Sequence, residues 1–154
     1  VRRWLIVSLC VLAGLLMVYA AYALFVSYDN GTHVRATIHA GQYLDGPKKG
    51  QMYYHCSDVS GGAVKDDGDQ CSLTVHKRDK VTLTIISDDG GDRTHDFRLQ
   101  GWQYFLYPAG AEMELHSGSQ SATFTAWATG DYPFICELAG HKDAGMRGTL
   151  HVIA

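Results

Sequence analysis

The sequence has no basic stripe. Its 13 Lys and Arg residues are scattered among 16 Asp and Glu, for a net charge of −3 with histidine neutral. A nucleic-acid partner, which needs a concentrated positive face, is therefore a poor match. No Gly-x-Ser-x-Gly elbow is present, so serine-nucleophile hydrolysis has no support. The Asp-rich run near Asp66 lacks the spacing and terminal Glu of an EF-hand calcium loop. No internal repeat and no amphipathic helical period stand out. Only three prolines occur, beside 17 glycines and nine tyrosines. This composition suits a turn-rich β protein.

One long apolar run is present, and it lies at the start. Trp4 to Tyr28 carries no charge, with Arg2 and Arg3 before it and Asp29 after it. At about 1.5 Å per helical residue this run matches the ~30 Å hydrocarbon core of a bilayer. The flanking arginines predict a cytoplasmic N-terminus and an exported main domain. Residues 1–28 are thus expected to form a single transmembrane anchor. The alternative is a signal peptide cleaved near Ala21-Tyr22-Ala23. Either way the domain reaches the outer, periplasmic side of the cytoplasmic membrane. Residues 29–70 are expected to form an extension and loop, and residues 71–154 the core domain, with the extension packed on it.

Cysteine usage agrees with export. Cys10 lies in the apolar run. Cys56 and Cys71 flank a glycine- and aspartate-rich stretch, and in an oxidising compartment a disulfide between them is expected. Cys136 then remains unpaired, and an odd thiol in an exported domain calls for metal ligation or reactivity.

Strand signals are dense after Cys71, and short strand-like runs also cover Val34–His39 and Gln51–His55. CSLTVHKRDKVTLTIIS reads as two strands around a polar turn at Lys77 to Lys80. HDFRLQGW is a strand, and AEMELHSGSQSATFTAW reads as a hairpin turning at Gly118. DYPFIC and RGTLHVIA bracket the last loop. The fold class expected is all-β, an antiparallel sandwich.

That last loop, CELAGHKDAGMRG, carries Cys136, His141 and Met146, with four residues between each and the next. Thiolate and thioether are soft ligands and imidazole is borderline. Two histidines and a cysteine with a weak axial methionine form the ligand set of blue-copper electron-transfer sites. Zinc also takes Cys and His, but thioether suits it poorly. The fourth ligand must come from elsewhere in the chain, and His95, in DRTHDFRL at the start of a strand, is the best candidate.

YPFICELAGHKDAGMRGTLHVI resembles the C-terminal ligand loop of the cupredoxins, and THDFRL is similar to their upstream histidine strand. The four-and-four spacing is most similar to the rusticyanin and sulfocyanin branch. The resemblance runs over about Cys71 to Ala154. It implies a Greek-key β-sandwich and one type 1 copper, with His95, Cys136 and His141 equatorial and Met146 axial. It also implies one-electron transfer rather than enzyme catalysis. The partner would be a cytochrome, another copper protein or a respiratory complex. His141 would lie near the surface as the electron port, rimmed by Leu138, Ala139 and Gly140, with Trp102, Tyr104 and Phe105 either extending that rim or simply belonging to the core. Two residues depart from the common pattern: Ala139 stands where proline is frequent, and Asp96 where asparagine or serine is frequent.

The layout of membrane anchor plus exported domain also resembles oxidase subunit II. The binuclear copper centre of that family needs two bridging cysteines. This loop has one, so a subunit II-like role would run through a mononuclear copper. A periplasmic copper-delivery protein is the rival from another class. His33, His39, His55, His76, His116 and His151 are read as surface or pocket histidines. A second copper site among His33, His39 and His55 is the minor alternative.

Overall fold

The structure is a computed structural model, described for residues 13–20, 31–66, 70–89, 94–101, 112–115 and 118–154. The chain divides into two compact units, Val1–Asn30 and Gly31–Ala154. In the first, residues 13–20 are helical, and Leu15, Leu16, Met17, Val18 and Tyr19 expose their apolar side chains. Among the described residues no helix is long and apolar enough to cross a membrane. The rest of the span expected over 1–28, including Ala21-Tyr22-Ala23, lies outside the described residues.

Among the described residues the second unit carries ten strands: β1 (His33–Gln42), β2 (Met52–Ser60), β3 (Ala63–Asp66), β4 (Cys71–His76), β5 (Lys80–Ser87), β6 (His95–Leu99), β7 (Glu112–Leu115), β8 (Ser119–Thr125), β9 (Gly130–Ile135) and β10 (Arg147–Ile153). They form a four-stranded sheet, β2-β1-β5-β8, and a six-stranded sheet, β3-β4-β10-β9-β6-β7. Strict alternation explains why the sheets face each other. In β5, Val81, Leu83 and Ile85 are buried. Between them Thr82 and Thr84 face outward and meet Thr123 and Ser121 across the strand pair at 2.9 Å each. Leu73 and Val75 of β4 and Leu150 and Val152 of β10 supply the opposite inner face. Antiparallel neighbours dominate, but β1 runs parallel to β5 and β4 parallel to β10. Chain crossings between the sheets produce these parallel pairs.

The β4–β5 crossing is the polar turn expected at Lys77 to Lys80. Buried Asp79 fastens it by accepting hydrogen bonds from the backbone N–H groups of His76 (2.7 Å) and Thr32 (2.9 Å). Two other expectations change. The stretch 56–70, read as a loop, is mostly strand: β2 runs on to Ser60, and β3 follows a turn at Gly61, whose φ is +76°. Among the described residues of this stretch, Gly61 and Gly62 mark the turn and Asp66 ends the exposed strand β3, while 67–69 lie outside the described residues. AEMELHSGSQSATFTAW is not a hairpin. β7 pairs with β6 and β8 pairs with β5, so the Gly118 turn carries the chain from one sheet to the other. A turn signal fixes where the chain reverses, not which strand receives it.

Cys56 lies within β2 and Cys71 opens β4. They are bonded, with Cα atoms 5.1 Å apart, and join the two sheets rather than closing a surface loop. β1 to β3 therefore belong to the same sandwich as the later strands.

Candidate metal centre

The site grows out of two strand ends in the six-stranded sheet. β6 pairs antiparallel with β9, Arg98 opposite Ile135 and Leu99 opposite Phe134. Period-two alternation along β6 turns His95, Phe97 and Leu99 inward. The same alternation carries Tyr132, Phe134 and Cys136 inward. Phe97 and Phe134 pack with ring centroids 5.1 Å apart, and Tyr54 of β2 closes on both, at 6.0 and 5.7 Å. This aromatic group is the floor on which His95 and Cys136 stand, each two residues further along its strand.

The loop from Cys136 to Met146 folds back on itself through main-chain bonds. The Cys136 N–H donates to the Met146 carbonyl (3.2 Å) and the Met146 N–H to the His141 carbonyl (3.0 Å). The His141 N–H donates to the Leu138 carbonyl at 3.0 Å. Gly145 adopts a φ of +112°, and a Cβ there would sit 2.8 Å from the Met52 carbonyl oxygen, so only glycine lets the loop press on the start of β2. The Met52 N–H in turn donates to the Ala144 carbonyl at 2.9 Å.

As a result, one ligand atom each from His95, Cys136 and His141 lies within 4.8 Å of the others. His95 and Cys136 are fully buried, and His141 is half-buried. Cys136 Sγ stands 3.3 Å from His141 Nδ1, and the rings of His95 and His141 are 5.4 Å apart. Met146 comes from the same loop and is fully buried. No other group of three such side chains gathers among the described residues.

A frame of polar contacts fixes the two strand ends together. The Asp96 N–H points at Cys136 Sγ (3.5 Å), and Asp96 Oδ1 accepts from the Glu137 N–H at 2.6 Å. The Tyr54 hydroxyl donates to the Asp96 carbonyl. Arg98 and Glu137 form an ion pair at 3.0 Å. Asp96 thus does a mechanical job: its side chain and its amide together join β6 to the ligand loop. Burial pushes the Cys136 thiol up to about 11, only partly offset by the backbone amides of Asp96 and Leu138. A thiolate there needs a cation to hold it, and metal binding must expel the proton.

His95 bears most directly on ligation. Its Nε2 is 2.8 Å from Asp89 Oδ2. A carboxylate only accepts, so Nε2 carries a hydrogen, and in the neutral ring Nδ1 then keeps its lone pair. That Nδ1 is buried and has no hydrogen-bond partner. An orphaned buried acceptor is costly unless something else fills its lone pair. Two imidazoles, a buried thiol and a buried thioether fit copper and leave zinc as the weaker match.

The remaining described histidines are engaged elsewhere. His39 meets Asp88 at 2.8 Å, His151 meets Asp131 at 2.6 Å, and His33 meets Thr82 at 3.1 Å. His55 lies 2.9 Å from the Tyr43 hydroxyl, and its other nitrogen faces Asp66 at 3.3 Å. His33, His39 and His55 do not gather as ligands. His116, Trp102, Tyr104 and Phe105 lie outside the described residues. Around His141, Ala139 and Gly140 are exposed and Leu138 half-buried, and a shallow depression is lined by Gln100, Glu137, Leu138, Gly140 and Lys142. Tyr54 and Asp89 escaped the sequence reading. Tyr54 reads as an ordinary inward strand residue, and Asp89 as part of an acidic, glycine-rich turn. Only its place just before the His95 strand hints at a role.

No protein-family model matches the sequence, and no curated protein matches it. Solved structures do. A dithionite-reduced auracyanin from the photosynthetic bacterium Roseiflexus castenholzii aligns over 80% of this chain and 100% of its own, with a TM-score of 0.50 and 21% identity. The fold is of the cupredoxin type. The copper nitrite reductase of Nitrosomonas europaea aligns at a TM-score of 0.54 and 22% identity, over 79% of this chain and 42% of its own. Fet3p, a multicopper oxidase that functions in iron import, aligns at 0.53 and 17%, over 80% of this chain and 23% of its own. This chain thus spans less than half of either enzyme. The alignments cover more of the chain than the sequence resemblance from Cys71 onward, in keeping with a sandwich that includes β1 to β3.

Proposed function

We propose that this chain is a mononuclear type 1 copper protein that carries single electrons between respiratory-chain partners. The observation that carries the reading is the buried, unpartnered Nδ1 of His95 beside Cys136 and His141. In this reading His95 Nδ1, Cys136 Sγ and one nitrogen of His141 hold the copper, and Met146 supplies the axial thioether. Copper bound there would exchange one electron between Cu(II) and Cu(I). The protein's part is to keep the ligands still. His95 and Cys136 stand on sheet strands over packed rings, and Asp96 ties their strand ends together, so a change of metal charge moves little. Half-buried His141 is the route outward, through the small surface at Leu138, Ala139 and Gly140.

The spacing of the ligand loop favours the rusticyanin and sulfocyanin branch, and the cupredoxin resemblance implies a Greek-key connectivity. The apolar, exposed helical turn at Leu15 to Tyr19 supports a membrane anchor, with the copper domain on the outer face of the cytoplasmic membrane. The partner on this reading is a cytochrome, another copper protein or a respiratory complex, including an oxidase that this chain would serve as a subunit II-like entry point. Copper delivery fits less well, because three of the four ligand side chains are fully buried and exchange favours open ones.

The test is the visible and electron paramagnetic resonance spectrum of the copper-loaded, oxidised protein. A strong thiolate-to-copper band that bleaches with ascorbate, and that is lost in Cys136→Ser, is the expected result. A colourless protein that nonetheless holds stoichiometric copper would overturn the reading.

A further inference from the structure

Asp89 stands behind the copper site, on the far side of a ligand ring. It follows β5, and Oδ2 lies 2.8 Å from His95 Nε2. Oδ1 accepts from the Gln42 N–H at 3.1 Å. Its side chain is 9% exposed and that of His95 0%. The neighbouring Asp88 is held as well: its amide donates to the Ala40 carbonyl (2.9 Å), and its carboxylate meets His39 and the Tyr53 hydroxyl. Asp89 is therefore not a mobile surface acid that happens to lie near a histidine. Each carboxylate oxygen has a fixed donor, and one of these donors is the ring of His95, whose other nitrogen is buried without a partner.

Given the copper reading above, we infer that Asp89 is the positioning and charge-setting partner of His95, and that it biases the site toward Cu(II). Two physical effects act in the same direction. Holding the hydrogen on Nε2 fixes the tautomer in which Nδ1 is the ligand and orients the ring, as carboxylate partners of metal-bound histidines do. The anion also makes the imidazole a stronger donor and lies close to the metal in a water-poor setting. Its attraction scales with metal charge, so the dication gains more than the monocation. Loss of the Asp89 charge should then weaken Cu(II) more than Cu(I) and raise the reduction potential.

Asp89→Asn tests this, because the amide oxygen can still accept from Nε2 while the charge is gone. The expected result is a blue protein whose Cu(II) affinity falls about tenfold, within the range for such partners, with Cu(I) affinity nearly unchanged. A tenfold change in that ratio is about 59 mV for one electron. If Asp89 is only a strut, thermal stability falls but the Cu(II)/Cu(I) affinity ratio moves less than about twofold, and the inference is overturned. Nitrogen-15 shifts of His95 in the metal-free wild-type protein give an answer that needs no variant. Nε2 protonation is expected, and a ring protonated on Nδ1 would overturn the inference. A wild-type protein that forms no thiolate-copper band removes the copper reading and this inference together. A blue wild type with an unmoved ratio in Asp89→Asn removes the inference alone.

Discussion

Tyr54→Phe should destabilise both the sandwich and the metal site by deleting one oxygen atom. Tyr54 is completely buried, and its hydroxyl donates to the Asp96 carbonyl. The ring still packs on Phe97 and Phe134 in the variant, so apolar burial is nearly unchanged. What is lost is a part-buried hydrogen bond. Such a loss costs about 1 kcal/mol. For a domain of this size that is on the order of 5 °C in melting temperature per kcal/mol. Asp96 also points its own N–H at Cys136 Sγ, so release of this residue loosens a contact to the sulfur. Thermal unfolding followed by circular dichroism, with the copper-loaded visible spectrum recorded in parallel, measures both effects. A melting temperature within about 1 °C of wild type and an unshifted band would show that the Tyr54 hydroxyl anchors nothing.

Gly148→Ala should be strongly destabilising: a Cβ there would sit 2.3 Å from the Phe134 ring and 2.4 Å from the Cys71 carbonyl oxygen, and the second cannot swing away. Overpacking of this kind costs about 1–3 kcal/mol, read from urea denaturation. Tyr53 should ionise late in an ultraviolet alkaline titration, near pH 12, because burial and the adjacent Asp88 carboxylate push its phenol up to about 12. Its folded value lies above that of the unfolded chain, so this contribution is complete below pH ~10 and fades as pH rises towards ~12. Asp88→Asn should bring the step earlier, and an unchanged step would remove Asp88 as a cause.

The legible part of this protein was local. Alternating apolar residues announce β4, β5, β6, β9 and β10, because a strand half-buried in a sandwich must repeat every second residue. Cys136, His141 and Met146 are legible as a possible ligand set because they share one short loop. No fold is needed to bring them near each other. His95 was reachable only by its place before a strand and by the resemblance. The strand register that sets it beside Cys136 is a long-range pairing that no local pattern encodes.

Tertiary structure alone decided the rest. It converts the expected hairpin at Gly118 into a crossing between sheets, since partner choice depends on which edge is open. It makes Cys56 and Cys71 a link between sheets rather than the clasp of a loop. It selects Asp89, one acid among many, by pointing it at the back of His95, and it selects Tyr54 by aiming a hydroxyl at the Asp96 carbonyl. The sequence by itself determined which atoms are able to bind a soft metal, because ligand chemistry resides in side-chain type. Only the packed fold decided which nitrogen of His95 meets Asp89 and which is left buried without a partner, because direction and burial arise from contacts between residues far apart in the chain.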